Sequence, residues 1–275
     1  MLGPISELGS HIHGLMTDTL DKLLRRKPRK KRPNLSLSSA GKCQRIAQYK
    51  ILGAKEEPWG WRSRITLDDG DYGHDQLRKY MRKAFRTRTH FRLVKEEDTV
   101  YLNVSGTKIA GHIDGLITKI CDCSEHKEWP RHTLLEVKTM SQYSYNYSKG
   151  GKISKDYLAQ ATAYMAALDI TSCLFMLKNK SNGDFTFVAY ERDEELLKEI
   201  FDRYKRILAF NRGGKTELDR EYEPDEKGRL PFECNYCSYV LKCWKEYKPV
   251  KVGAGVRAFK VSMDDSFSID DIKED

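Results

Sequence analysis

The 275 residues include 49 Lys and Arg against 40 Asp and Glu, a net charge of +9, with 39% apolar, 11% aromatic and 32% charged residues. This is enough apolar surface to bury a core, but too much charge for a membrane protein, and no run of about 18 apolar residues is present. Positions 1–10 lack the basic start and unbroken apolar stretch of a secretory leader, and seven cysteines, an odd number, fit poorly with a disulfide framework. A reducing compartment is therefore expected, where closely spaced cysteines more often hold metal. The Lys and Arg residues are clustered, as a polyanion-binding surface requires.

In chain order, apolar residues at helical spacing predict an amphipathic helix over 12–24. The following Arg25-Arg26-Lys27-Pro28-Arg29-Lys30-Lys31-Arg32-Pro33 cannot pack and reads as a solvated linker, with phosphate binding, a localisation signal or simple solubility as its open uses. A helix is predicted over 38–51 with Ser38 or Ser39 as N-cap, which places Cys43 in its first turns. A second is predicted over 72–85, where Arg78, Lys79, Arg82, Lys83 and Arg86 recur at three- and four-residue steps as a basic ridge, facing either nucleic acid or solvent.

Strands are predicted over 91–104, 107–120 and 133–139, with Ser105-Gly106 as a hairpin turn. A helix over 157–168, strands over 172–178 and 186–190 around Asn182-Gly183, and a helix over 193–210 follow. The order predicts a mixed α/β core. Residues 262–275 carry six acidic side chains and little apolar content, which predicts a disordered tail that either docks a basic surface or is merely solvated.

Within this frame, Asp114 on the 107–120 strand and Glu136 on the next can converge as oxygen ligands for a hard dication. The two-residue period of a strand puts Glu136 and Lys138 on one face and Val137 on the other. One strand thus offers an anion for a metal and a cation for a phosphate or a water, the arrangement that phosphodiester hydrolysis needs.

Asp114 followed by Glu136-Val137-Lys138 resembles the signature of the PD-(D/E)XK nuclease superfamily. Gly70-Asp71-Tyr72-Gly73-His74 resembles the G-x3-H helix of its RecB-like exonuclease branch, and Tyr157, Gln160 and Tyr164 resemble that branch's Y-x2-Q-x3-Y helix. The three lie on one helical face. The resemblance implies a restriction-endonuclease-like mixed β-sheet flanked by helices. It also implies Mg2+ or Mn2+ held by His74, Asp114, Glu136 and the Val137 carbonyl, with Lys138 positioning water and Gln160 and Tyr164 aligning the substrate. Tyr157, Arg78, Arg82 and Arg86 are the further candidates for holding DNA.

Cys234, Cys237 and Cys243 need a fourth ligand to complete a tetrathiolate site, and Cys43 is the candidate. The pattern resembles the staple of the AddB nuclease domain and of CRISPR-associated RecB-like exonucleases, which implies a 4Fe–4S cluster clasping the N- and C-terminal segments of the core. Tetrahedral Zn2+ suits four thiolates equally. Cys121-x-Cys123 with His126 and His132 fits no closed zinc motif and reads as a loop between the two candidate strands, while Cys173 reads as core.

The expected organisation is a helix and basic linker (1–33), a nuclease core with its cysteine staple (34–248) and an acidic tail (249–275). The expected activity is that of a metal-dependent DNA exonuclease acting on single strands or ends, with a non-catalytic DNA-binding scaffold as the alternative. The composition and the expected reducing compartment imply no membrane partner and a cytoplasmic location, host cytoplasm if the chain is viral, with the nucleus left open. Family analogy adds a protein partner from a recombination or CRISPR-adaptation system.

Overall fold

The computed structural model describes residues 4–24, 35–56, 61–86, 90–213, 218–225, 230–235, 237–244, 247–252 and 255–260. The basic linker at 25–33 and the acidic stretch at 262–275 lie outside the described residues. The chain forms two compact units, one of 1–24, 34–42 and 60–208, the other of 25–33, 43–59 and 209–275.

The chain begins with α1 (Pro4–Leu24), a 3-10 turn at Leu37–Ser39, α2 (Gln44–Ile51) and α3 (Trp61–Arg86). Strands β1 (Phe91–Val94), β2 (Thr99–Val104), β3 (Thr107–His112), β4 (Gly115–Lys119) and β5 (His132–Met140) follow, a second 3-10 turn, Ser124–His126, lying before β5. Next come α4 (Gln142–Ser148), α5 (Lys155–Leu168), β6 (Ser172–Asn179), β7 (Phe185–Glu191) and α6 (Glu194–Asn211). The chain closes with α7 (Phe232–Asn235), α8 (Val240–Cys243), β8 (Tyr247–Val252) and β9 (Gly255–Lys260).

The first unit is built on a five-stranded mixed sheet of order β1-β4-β5-β6-β7, flanked by helices, as the α/β pattern predicts. Only β5 and β6 run parallel, and α4 and α5 make the crossover between them. The remaining pairs are antiparallel, and β2 and β3 form a separate hairpin closed at Ser105-Gly106. Leu135 and Val137 pack with Leu77 and Met81 of α3, Ile117 and Met176 in one buried cluster. On α5, Ala159, Ala161, Thr162, Ala163, Tyr164 and Met165 are buried, so this helix is covered almost all round.

Several boundaries differ from the sequence reading for physical reasons. The expected helix at 38–51 is a 3-10 turn followed by α2, with Cys43 at the N-cap. The break falls where Gly41 lies against Asp156, whose Cα would be 2.5 Å from an added Cβ. Helix α3 begins well before position 72, running through Asp68-Asp69-Gly70. Its Gly73 is a close-packing position, since an added Cβ would come within 2.6 Å of Thr139 Cγ2 on β5. The expected strand at 91–104 splits into β1 and β2 at a turn in which Lys95 and Glu97 take positive φ.

In the second unit, Leu230, Cys234, Val240 and Trp244 form a small core against which Tyr222, Cys237 and Cys243 pack. The β8–β9 hairpin occupies part of the stretch expected to be tail, where Val250, Val252 and Val256 supply strand-forming residues. Among the described residues no helix is long and apolar enough to cross a membrane.

Candidate active site

Asp114 does not lie within a strand, as the sequence reading had it, but in the bend between β3 and β4. There the chain changes sheets, because β3 pairs with β2 whereas β4 pairs with β1 and β5. The bend turns the carboxylate toward β5: Oδ2 accepts from the Val137 amide at 2.8 Å, and His74 Nδ1 of α3 stands 3.5 Å from Oδ1.

Strand β5 presents Glu136 and Lys138 beside it. Glu136 is 1% exposed, its Oε1 pairs with the Lys138 ammonium, and its Oε2 is buried with no hydrogen-bond partner among the described residues. The Lys138 ammonium also lies 4.8 Å from the centre of the Tyr157 ring and 3.5 Å from Gln160 Oε1. Gln160 in turn faces Tyr164, Nε2 to OH 3.4 Å. His74, Asp114, Glu136, Lys138, Tyr157, Gln160 and Tyr164 are therefore gathered in one place in the first unit.

The electrostatics there are set by burial against pairing. Burial pushes the Glu136 carboxyl up to about 7, with Asp114 adding to the rise and Lys138 opposing it. For Asp114 burial also raises, but His74, Lys138 and the Val137 amide outweigh it and hold the carboxyl below its usual range. Burial works against the Lys138 charge, and Glu136 and Asp114 more than restore it, so the ammonium persists. A carboxylate oxygen buried beside a second carboxylate and an imidazole, with nothing donating to it, fits a hard dication: the donor set and the unmet need agree.

Two expected site residues sit deeper than a surface role would have them. Tyr164 is 1% exposed and lies under Gly111, where an added Cβ would strike its ring, with its hydroxyl facing Gln160. The basic ridge on α3 is not a free row of cations. Arg78 is 8% exposed and paired with Asp75 and, at 2.7 Å, with Glu97, while Arg82 holds Glu96 through two hydrogen bonds of 2.9 and 2.6 Å. Helix α3 turns Arg78 inward because positions 73, 77, 78 and 81 face the protein. Lys79, Lys83 and Arg86 remain exposed.

The sequence reading missed α4, which starts two residues after β5 ends, with Ser141 as its N-cap. Its Tyr143 and Tyr147 are exposed, and Lys152 Nζ lies 5.5 Å from the Tyr147 ring centre. Alternating tyrosines in a short Ser-rich stretch after the candidate strand were the available signal.

In the second unit, Cys43, Cys234, Cys237 and Cys243 influence one another electrostatically. Burial raises their neighbourhood's thiols, Cys43 to about 11 and Cys234 to about 12, with further increments from Cys243 on both and from Cys237 on Cys234. The Arg45 guanidinium lies 3.8 Å from Cys243 Sγ, and the Tyr239 amide 3.4 Å from Cys237 Sγ. Among the described residues, however, the group whose donor atoms all lie within 4.8 Å of one another is a different one, His90, Cys121, Cys123 and His126. His132 stands apart from it, facing Thr118 Oγ1 at 3.1 Å.

No family model matches the chain. A search of curated proteins finds no match either. Among solved structures, an alkaline exonuclease (LHK-Exo) from Laribacter hongkongensis is similar at 18% identity and a TM-score of 0.45, covering 66% of this chain and 88% of that one. Its complex with dAMP gives 16% identity and 0.48 over the same shares. SSO0001 is similar at 16% identity and 0.42, covering 88% of this chain and 98% of its own. A phage-related exonuclease from Haemophilus somnus 129PT gives 14% and 0.37, over 65% and 93%. At such identities and scores the likeness says nothing of chemistry, which has to be read from the side chains.

Proposed function

We propose that this chain is a metal-dependent deoxyribonuclease of the PD-(D/E)XK type, RecB-like branch, acting as an exonuclease on single strands or DNA ends. The observation that carries the reading is the partnerless, buried Oε2 of Glu136 beside Asp114, His74 and the Lys138 ammonium. His74, Asp114, Glu136 and the Val137 carbonyl would hold Mg2+ or Mn2+. Bound there, the dication supplies an acidified water and polarises the phosphate.

The protein's own residues do the rest. Lys138 stays protonated and offers its N–H groups to the attacking water and to charge growing on the phosphoryl oxygens. Gln160 fixes the direction of that ammonium, and Tyr164, a neutral phenol whose burial pushes it up to about 12, fixes Gln160. Tyr157 shields the opposite side of the ammonium. The exposed rings of Tyr143 and Tyr147 supply faces on which single-stranded bases can stack.

Cys43, Cys234, Cys237 and Cys243 fit a thiolate-bound group in the second unit. Burial pushes up the Cys43, Cys234 and Cys237 thiols, a cost that a metal's charge would offset, and Arg45 and the Tyr239 amide stand where they can donate to sulfur. We assign them a structural 4Fe–4S cluster, with Zn2+ as the outcome that absence of iron and of brown colour would identify.

End-labelled single- and double-stranded DNA, incubated with anaerobically purified protein and Mg2+ or Mn2+, should be degraded, and a chelator should stop it. Asp114→Ala should still bind DNA but not cut it; full cutting by that variant removes Asp114 from the mechanism. Wild-type protein that binds without cutting in either metal would be the scaffold instead.

A further inference from the structure

Three of the four residues read as a loop, Cys121, Cys123 and His126, come together with His90, which no local motif contains. His90 stands just before β1, Cys121 and Cys123 just after β4, and His126 in the 3-10 turn that follows. Antiparallel pairing of β1 with β4 brings the first to the others: Phe91 lies opposite Lys119, and the Ile120 amide donates to the His90 carbonyl at 2.8 Å.

Cys123 Sγ stands 3.0 Å from Cys121 Sγ, 3.0 Å from His126 Nδ1 and 3.9 Å from His90 Nδ1, and Cys121 Sγ stands 3.2 Å from His126 Nδ1. Ligands bound tetrahedrally to zinc at about 2.3 Å for sulfur and about 2.0 Å for nitrogen stand roughly 3.3–3.8 Å from one another. Three of the separations here are a few tenths of an ångström or more shorter than that and one is longer, so one ion reaches all four donors after small side-chain shifts. The two sulfurs are also well outside the roughly 2.05 Å of a disulfide.

The surroundings hold this group in place. His126 is 7% exposed, although its ring has only thiols at Nδ1, which are weak hydrogen-bonding partners. Lys119 ties the loop from within, donating to the carbonyls of His126 at 2.7 Å and Trp129 at 3.0 Å. The Trp129 ring lies 4.5 Å from that of His126 and stacks on Phe91 at 5.7 Å, roofing the cluster with apolar surface. Glu125 Oε1 stands 4.0 Å from His126 Nε2, where a carboxylate commonly orients a ligating imidazole.

We propose that His90, Cys121, Cys123 and His126 hold a structural Zn2+ ion that clamps the start of β1 to the end of β4. Two thiolates and two imidazoles fill a tetrahedral zinc site with no open position, so the ion braces and does not catalyse. It braces the strand that Asp114 immediately precedes, at that strand's other end. The assignment stands on these four side chains alone and is independent of the nuclease reading.

The test uses the full chain prepared metal-free under reducing conditions and titrated with Co2+, whose tetrahedral d–d and sulfur-to-cobalt charge-transfer bands report the site directly. Wild type should show these bands and lose them on adding Zn2+. The double variant Cys121→Ser/Cys123→Ser should lose the part of the bands and the one equivalent of Co2+ due to this site, while Cys43→Ser retains them. Should the double variant fail to fold, His90→Ala keeps both thiols and should lose or shift the bands. The proposal is overturned if wild type shows no such bands, if neither variant changes them, or if mass spectrometry of the reduced preparation finds Cys121 and Cys123 joined in a disulfide.

Discussion

At the end of β4 that follows Asp114, one carboxylate is held by an amide and faced by an imidazole, a second keeps a buried oxygen without a partner, and an ammonium leans on it. At the other end, two thiols and two imidazoles lie within 4.8 Å of one another under an aromatic roof. The first place is made of hard donors and has an unmet electrostatic demand; the second is made of softer donors, two thiols and two imidazoles, of the kind and number that a zinc ion takes. The difference is that between donors suited to a hard dication and donors suited to zinc. Proximity of potential ligands does not by itself locate chemistry.

The largest expected effect separates the two ends outright. Lys138→Ala should lower the single-turnover rate of DNA cleavage per folded molecule by on the order of 10²–10³, since it removes donors aimed at developing charge. Cys121→Ser/Cys123→Ser should do the reverse, lowering the melting temperature while the rate per folded molecule stays as in wild type. A Lys138→Ala enzyme of full activity would erase the contrast.

Next, Gly111→Ala places a methyl group against the Tyr164 ring and Leu37, and overpacking of this kind costs roughly 1–3 kcal/mol. Urea denaturation should read that loss, and cleavage should weaken with it because Gln160 is held by Tyr164.

The pH dependence sharpens the hard site further. Glu136 rises from its ordinary 4.5 to about 7 in the folded protein, so the fold binds a proton that the unfolded chain releases across that window. Metal-free protein therefore loses this contribution to stability as pH climbs from 4.5 to about 7. Mn2+ must displace the same proton, so its affinity should fall about tenfold per unit as pH drops below that value. Calorimetry in two buffers of different ionisation heat would detect the released proton; pH-independent affinity would remove Glu136 from the ligand set. The smallest effect is expected at Arg82→Ala, whose exposed pair with Glu96 is screened by solvent; a melting temperature close to that of wild type checks it.

Sequence alone determined what depends on neighbours along the chain. The period of a strand set Glu136 and Lys138 apart from Val137, the three- and four-residue spacing put Tyr157, Gln160 and Tyr164 on one face of α5, and Ser105-Gly106 turned a hairpin. The α/β order followed from the same local periods. Tertiary structure decided what depends on who lies opposite. Asp114 occupies a bend because the chain changes sheets there, Gly73 sits inside a helix because Thr139 crowds it, and Arg78 turns inward to Asp75 and Glu97. His90 joins Cys121, Cys123 and His126 only through the pairing of β1 with β4. Contacts between residues far apart in sequence leave no period or spacing to read, because nothing local fixes which strands become neighbours.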